Sequence, residues 1–326
     1  MNFRLRTTLL ASACAVGLAV TSASVAGAVP TAEPAPAKAT VHRAAVTKAE
    51  QSTVSDYWTP ERMRSAVPMD QLLKPRQRSA GLPAVGKPTT VLPTGVVGPM
   101  AFPSGGAPWT GGGKIVATEG RVFFTYTGRT ASCSGTAVTS GNESTVITAG
   151  HCVKLDGAFH TNWVFVPAYN NGSTPYGTWT AKKTYATPQW VASEDINYDV
   201  GAAVVNPLNG QNLTDVVGGQ GIAFNQARGQ NMYAFGYPAA SPYDGSRLIY
   251  CSGSTFNALI SEGIGMTCDM TGGSSGGGWF LQFSESTGAG IVNSVNSYKI
   301  NFIPTWMFGP YFGTDAQNLY NTAQAG

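Results

Sequence analysis

Beyond its first 28 residues the 326-residue chain has no apolar run approaching the about 18 residues that a membrane-spanning helix needs, so no membrane-embedded body is expected. No Cys-x-x-Cys pair occurs, and three histidines in the whole chain are too few to complete a zinc site beside the cysteines; no metal and no cofactor are expected. Long helical periodicity is missing before the C-terminus, and strands do not alternate with helices, which speaks against a doubly wound sheet. No internal repeat is visible. No basic, aromatic-rich patch points to nucleic acid.

The formal charge of +3 conceals a split. Residues 29–106 hold nine Lys/Arg and five Asp/Glu, whereas residues 107–326 hold nine Lys/Arg and twelve Asp/Glu. The basic balance therefore belongs to the N-terminal third, and the body is mildly acidic. Arg4 and Arg6, the apolar run Leu9 to Val20 and Ala26-Gly27-Ala28 have the pattern of a secretory signal peptide, cleaved after Ala28. Residues 29–106 read as a pro-region or linker. Residues 29–50 have the Ala/Pro/Thr-rich composition of a disordered spacer, and residues 79–113 are again rich in Pro and Gly. Between them Thr59 is a suitable N-cap, Pro60 suits the first helical position and Pro68 stops the run, which predicts a short helix near 60–67. Trp58, Met63 and Val67 could dock it.

From Lys114 onward the texture is that of an all-β domain, whose bounds are set at residues 107–326. Short apolar or alternating runs such as RVFFTYT, WVFVPAY and GAAVV recur between Gly, Asn, Ser and Pro, and Thr314 to Gln324 could form one terminal helix capped by Thr314. About 220 residues of this kind suit a sandwich or two packed barrels. Cys14 leaves with the signal, so four cysteines remain; in an exported chain they favour disulfides. The sequential pairs Cys133–Cys152 and Cys251–Cys268 each close a short loop and are preferred among three connectivities.

The body has two histidines. His160, in GAFHTN, reads as a surface loop residue. His151 ends an apolar strand in Thr148-Ala149-Gly150-His151-Cys152, where the strand delivers an imidazole to a turn that Cys152 can tie down. Downstream, Asn197-Tyr198-Asp199-Val200 places an acid at the opening of an apolar strand, and TGGSSGG holds two adjacent serines. In these three motifs and in their order the chain resembles the chymotrypsin-like (trypsin-family) serine peptidases, most closely the secreted bacterial members made as preproproteins. The resemblance covers roughly residues 114–310. An α/β-hydrolase is excluded by order, because no histidine follows Ser275.

The resemblance implies two packed antiparallel β-barrels with a short C-terminal helix, preceded by a signal peptide and a largely disordered pro-region. It implies Ser275 as nucleophile, since that serine directly precedes Gly-Gly, with His151 as base, Asp199 as its orienting acid, and the backbone N–H groups of Gly273 and Ser275 as oxyanion hole. Glu194 and Asp195 are rivals to Asp199, but SEDIN reads as a solvated loop. Asp269, six residues before Ser275, stands where an acid would select Arg or Lys. A preference for Glu is not expected, because that branch generally uses a pocket histidine and none follows His160.

Two departures from the family pattern stand out. Ser274 replaces the aspartate that would receive a freed N-terminus, so Ile115-Val116 reads as an ordinary first strand. Gly278 replaces the usual proline and loosens its loop by about 1 kcal/mol. The basic leader could act on the acidic body as folding aid or inhibitor. The expected product is an exported monomer that hydrolyses protein or peptide substrates. A catalytically silent binding module, or an esterase on the same fold, are the alternatives.

Overall fold

The computed structural model describes residues 38–71, 83–94 and 103–326. The expected signal peptide, the first part of the expected spacer and the stretches 72–82 and 95–102 lie outside the described residues.

Six strands close the first barrel: Glu119–Tyr126, Arg129–Ala137, Thr145–Thr148, Gly201–Val205, Trp179–Ala186 and Thr161–Pro167, each antiparallel to the next and the last pairing back onto the first. Their β-branched and aromatic residues fit a pleated surface buried on its inner face. Phe123, Phe124, Val164, Phe165 and Ala203 are completely buried within it. The second half is built on two sheets. A seven-stranded sheet runs Thr89–Val91, Gly221–Phe224, Ala289–Val295, Gly278–Ser284, Asn231–Gly236, Ile249–Ser254, Ser104–Pro108. A four-stranded sheet contains Phe256–Asn257, Ile264–Thr267, Ile303–Gly309 and Tyr298–Ile300. One pairing, Gly221–Phe224 with Ala289–Val295, is parallel, whereas sequence had suggested antiparallel pairs throughout.

The disulfides pair as expected and each does a different job. Cys251, on the larger sheet, is bonded to Cys268, which directly follows a strand of the smaller one, so this bridge ties the two sheets together. Cys133–Cys152 ties strand Arg129–Ala137 to the turn that carries His151. The terminal helix Thr314–Gln324 buries Leu319, Tyr320 and Ala323, but its N-cap is Gly313 rather than Thr314. Ile115 and Val116 do not open a strand: they lie in the short helix Lys114–Thr118, with Ile115 completely buried, and the first barrel strand starts at Glu119.

Residues 38–71, within the stretch expected as a leader, are structured, against the expectation of a spacer up to residue 50. Thr40–Arg43 pairs with residues 183–186 of strand Trp179–Ala186, the part of that edge which Thr161–Pro167 leaves uncovered. Four residues would be too few for a lone strand; the partner edge supplies what the sequence pattern does not. His42, on this strand, stacks on Phe159. Helix Lys48–Tyr57 follows, closed by a capping box in which Thr47 and Glu50 satisfy each other's backbone N–H groups. The predicted helix spans Pro60–Ser65, capped by Thr59 and with Pro60 in its first turn. Trp58 and Met63 are buried, and the Trp58 indole donates to the Asn162 carbonyl at 2.6 Å. Val67–Pro68 then lies parallel to strand Arg129–Ala137, which carries the chain to Asp70.

Candidate active site

Strand Thr145–Thr148 ends at Ala149, and a single tight helical turn, Gly150–Cys152, swings the His151 ring inward. Strand Gly201–Val205 pairs beside it, and Asp199 stands just before that strand, after the turn Ile196–Tyr198. The two side chains meet although 48 residues separate them. His151 Nδ1 lies 2.7 Å from Asp199 Oδ2, and the His151 backbone N–H donates to Oδ1 at 2.8 Å. Two contacts from one residue to both oxygens fix the carboxylate's plane and make Nδ1 the protonated nitrogen. Burial disfavours the imidazolium, but the charge and hydrogen bond of Asp199 and the charge of Asp70 outweigh it, and His151 titrates above its ordinary range. Its other nitrogen, Nε2, is buried without a hydrogen-bond partner.

Ser275 sits in the tight loop Thr271–Gly277, whose backbone is positioned from both halves. Ser134, on the first barrel, donates its backbone N–H to the Ser275 carbonyl at 2.7 Å and its hydroxyl to the Gly273 carbonyl at 2.8 Å. Asn296 donates to the Ser274 carbonyl from the second half. Gly273 takes φ +93°, and a Cβ there would lie 2.9 Å from the Tyr237 carbonyl. At Gly276, φ is +83° and a Cβ would lie 2.1 Å from Thr148 Oγ1, so only glycine lets the serine loop close onto the strand that delivers His151. His151, Asp199 and Ser275 all line one cavity of about 500 Å³.

No protein-family model matches the chain. The protease Anisep of Arthrobacter nicotinovorans is 50% identical, superposes with a TM-score of 0.62, and the match covers 65% of this chain and 98% of that one. The thermostable serine protease AL20 from an extremophilic microorganism is 42% identical, with a TM-score of 0.62 and coverage of 65% and 99%. The chain belongs to the chymotrypsin-like serine peptidases. It is a serine-type endopeptidase. An extracellular metalloprotease of Bacillus subtilis (strain 168) is 36% identical over 93 residues, so the peptidase spans only 29% of that relative's length. Among the described residues the one group of three candidate metal ligands is Cys133, His151 and Cys152, and both cysteines are consumed in their mutual disulfide. The residues present therefore do not make a metal site.

Several parts of the peptidase's site were not foreseen. Ser297 donates to Asp199 Oδ2 at 2.5 Å. His160 is buried rather than exposed; its Nε2 meets the His151 carbonyl at 2.9 Å, its ring stacks on Phe124, and burial pushes its pKa down to about 3. It is a neutral buttress for the turn carrying His151. Glu194 and Asp195 are not solvated: Glu194 pairs with buried Lys154 at 2.8 Å, and Asp195 caps the turn before Asp199. Both shape the loop and neither faces His151 in place of Asp199. Ser274 is buried and its hydroxyl bonds the Thr271 carbonyl, so the loop is satisfied without an aspartate. Gly278 donates its backbone N–H to Glu119 at 3.4 Å, a bond that proline could not make.

Asp269 does not line the cavity. Its backbone N–H is held by the Gly105 carbonyl and its carboxylate accepts from Tyr243 at 2.6 Å, which leaves it on the exposed side of the loop. The cavity wall carries Lys299 instead. The leader also enters: Asp70 lines the cavity and its Oδ1 accepts the Gly273 backbone N–H at 3.1 Å. Burial raises the Asp70 pKa, against the opposing pull of backbone hydrogen bonds and of the charges on His151 and Lys299.

Proposed function

We propose that the chain is an exported endopeptidase, made with a signal peptide over residues 1–28 and a leader over 29–106, that acts through Ser275, His151 and Asp199. Ser275 Oγ attacks the scissile carbonyl; His151 Nε2 takes its proton and returns it to the leaving amine. Asp199 holds the imidazole in the tautomer this requires and stabilises the imidazolium. The backbone N–H groups of Gly273 and Ser275 receive the oxyanion, each donor being worth about 2.7–4 kcal/mol in the transition state. The observation that carries the reading is the buried His151–Asp199 pair, with an unpartnered Nε2 in the cavity that Ser275 also lines.

The leader acts as an intramolecular inhibitor. Its docked Trp58 helix brings Asp70 onto one of the two proposed oxyanion donors, and a substrate carbonyl oxygen cannot use that N–H until the leader leaves. This is the product of a monomeric chain acting on itself, and it needs no cofactor. The basic-residue preference read from Asp269 has lost its carrier, because that carboxylate is exposed and outside the cavity.

Labelling the secreted, processed protein with a serine-directed organophosphonate, followed by peptide mass mapping, tests the reading. A single adduct on Ser275 that His151→Ala abolishes is expected. A processed protein that takes no adduct has no competent site, and the binding-module alternative then holds. An esterase of the same fold would take the adduct but leave long peptides uncut.

A further inference from the structure

Among the described residues one lysine, Lys299, lines the cavity, and nothing in the proposed chemistry uses it. Lys299 lies on strand Tyr298–Ile300, two residues beyond Ser297, and both residues line the cavity. Its ammonium is fixed: Nζ donates to the Met270 carbonyl at 2.8 Å and to the Cys268 carbonyl at 3.1 Å. Those carbonyls belong to the segment that runs directly into Thr271–Ser275. The charge is therefore anchored to the same backbone that presents the nucleophile. An ammonium has three donors, and these two bonds leave one for a ligand.

The carboxylates of the body that line the cavity are engaged elsewhere. Asp199 is held by His151 and Ser297, Glu194 by Lys154, and Asp156 by Tyr126. Asp269 lies close enough to act on Lys299 through its charge, but its carboxylate is turned to Tyr243 on the exposed side. The remaining acid in the field of Lys299 is Asp70, which the leader contributes and takes away. Once the leader has gone, a half-buried cation faces the cavity with no carboxylate inside it to answer.

We propose that Lys299 is the specificity-determining residue of this peptidase and that the peptide bonds it cuts follow an acidic residue, Glu or Asp, whose carboxylate takes the third Lys299 donor. The inference rests on the peptidase reading given above and names its substrate class. The charge needed is supplied by a lysine on the strand after Ser297, which is why the lack of a pocket histidine after His160 does not exclude it. Asp70 is then an acid of the chain's own, held in the cavity that acidic substrates enter.

The test uses the processed protein and four peptides differing only in the residue before the cut: Glu, Gln, Arg and Phe. Each variant is read as a ratio of kcat/KM values, so that altered folding or total activity cancels. The processed wild type should favour Glu over Gln by about 10- to 100-fold, the range of a hydrogen bond between charged groups in a partly desolvated site. Lys299→Met should bring that ratio to near one. Lys299→Gln, which keeps amide donors for the Cys268 and Met270 carbonyls while removing the charge, should do the same. A wild-type ratio near one, a preference for Arg or Phe, or a Glu preference that survives both variants overturns the inference. So does failure to cut the Glu peptide at all, and Ser275 labelling in the same preparation then says whether the peptidase reading falls with it.

Discussion

Ser297 shows how much of the site is held by a hydroxyl turned to Asp199. Its hydroxyl is the third donor to Asp199, after the backbone N–H and Nδ1–H of His151. Removing it leaves the carboxylate less neutralised and its pull on an imidazolium stronger. Ser297→Ala should therefore lower kcat about 10-fold with little change in KM. It should also move the acid limb of the pH–rate profile to higher pH, because His151 must be neutral to accept a proton and already titrates above its ordinary range. A purely structural role would lower the amount of active enzyme without moving that limb. The three residues proposed for catalysis are each announced in the sequence by their own neighbours: a strand ending in Ala-Gly-His-Cys, an acid opening GAAVV, a serine before Gly-Gly. Ser297, His160 and Lys299 are not. Ser297 acts on a partner 98 residues away, and nothing beside it in the chain marks that contact. His160 looked exposed because no motif surrounds it in GAFHTN; its burial comes from Phe124 and the His151 turn. Asp269 failed for the opposite reason. Counting back from Ser275 assumes a loop path that the Gly105 contact changes.

At the scale of elements, the leader is the part most poorly read from composition and most informative once folded. Its short helix was legible from Thr59 and Pro60, since caps are local. The strand Thr40–Arg43 was not, because it exists only against an edge supplied by residues 183–186. These pieces bring Asp70 to Gly273, with His151 and Lys299 as the charged groups facing it. Burial holds the Asp70 carboxyl above the usual carboxylate range when docked, so the docked leader takes up a proton more readily than the free one. Docking is then fully favoured at pH values below the free pKa and weakens as pH rises through the raised one. A leader peptide titrated onto processed Ser275→Ala protein should bind more tightly as pH falls from 7 towards 4. Protonation of His151 would act in the same direction while Asp70 is charged, so Asp70→Asn is the control: it should flatten the profile and bind at least as well at neutral pH. An Asn profile as steep as the wild type would place the dependence on another group.

For the whole molecule, the join between the halves carries a pH dependence of its own. Glu119 opens the first barrel, is completely buried, and accepts from Thr136 at 2.5 Å and from Gly278 of the second half at 3.4 Å, while its Oε2 has no hydrogen-bond partner. Burial raises its pKa to about 8. A carboxyl that is harder to ionise folded than unfolded adds stability below its unfolded pKa and loses it as pH climbs through the folded one. Melting temperatures should fall between pH 5 and pH 8 on this account, and Glu119→Gln should remove that part of the fall, gaining on the order of 5 °C at pH 8 relative to wild type. Equal slopes for the two proteins would show that Glu119 is not the source. The all-β architecture and both disulfides were legible from runs and spacings. The split of the second half into a seven-stranded and a four-stranded sheet was not, since no run of residues states which strand it will pair with.

With the leader removed as proposed, the border strands of the larger sheet have a consequence for the later life of the protein. Thr89–Val91 and Ser104–Pro108 cover opposite margins of the seven-stranded sheet. A cut before Thr89 leaves the margins dressed. A cut near residue 106 removes the first and halves the second, baring rows of backbone N–H and C=O groups along Gly221–Phe224 and Ile249–Ser254, the kind of surface on which one molecule templates another. Where the leader is severed thus sets how the mature protein behaves when crowded with its own copies, apart from whether it can cut a peptide.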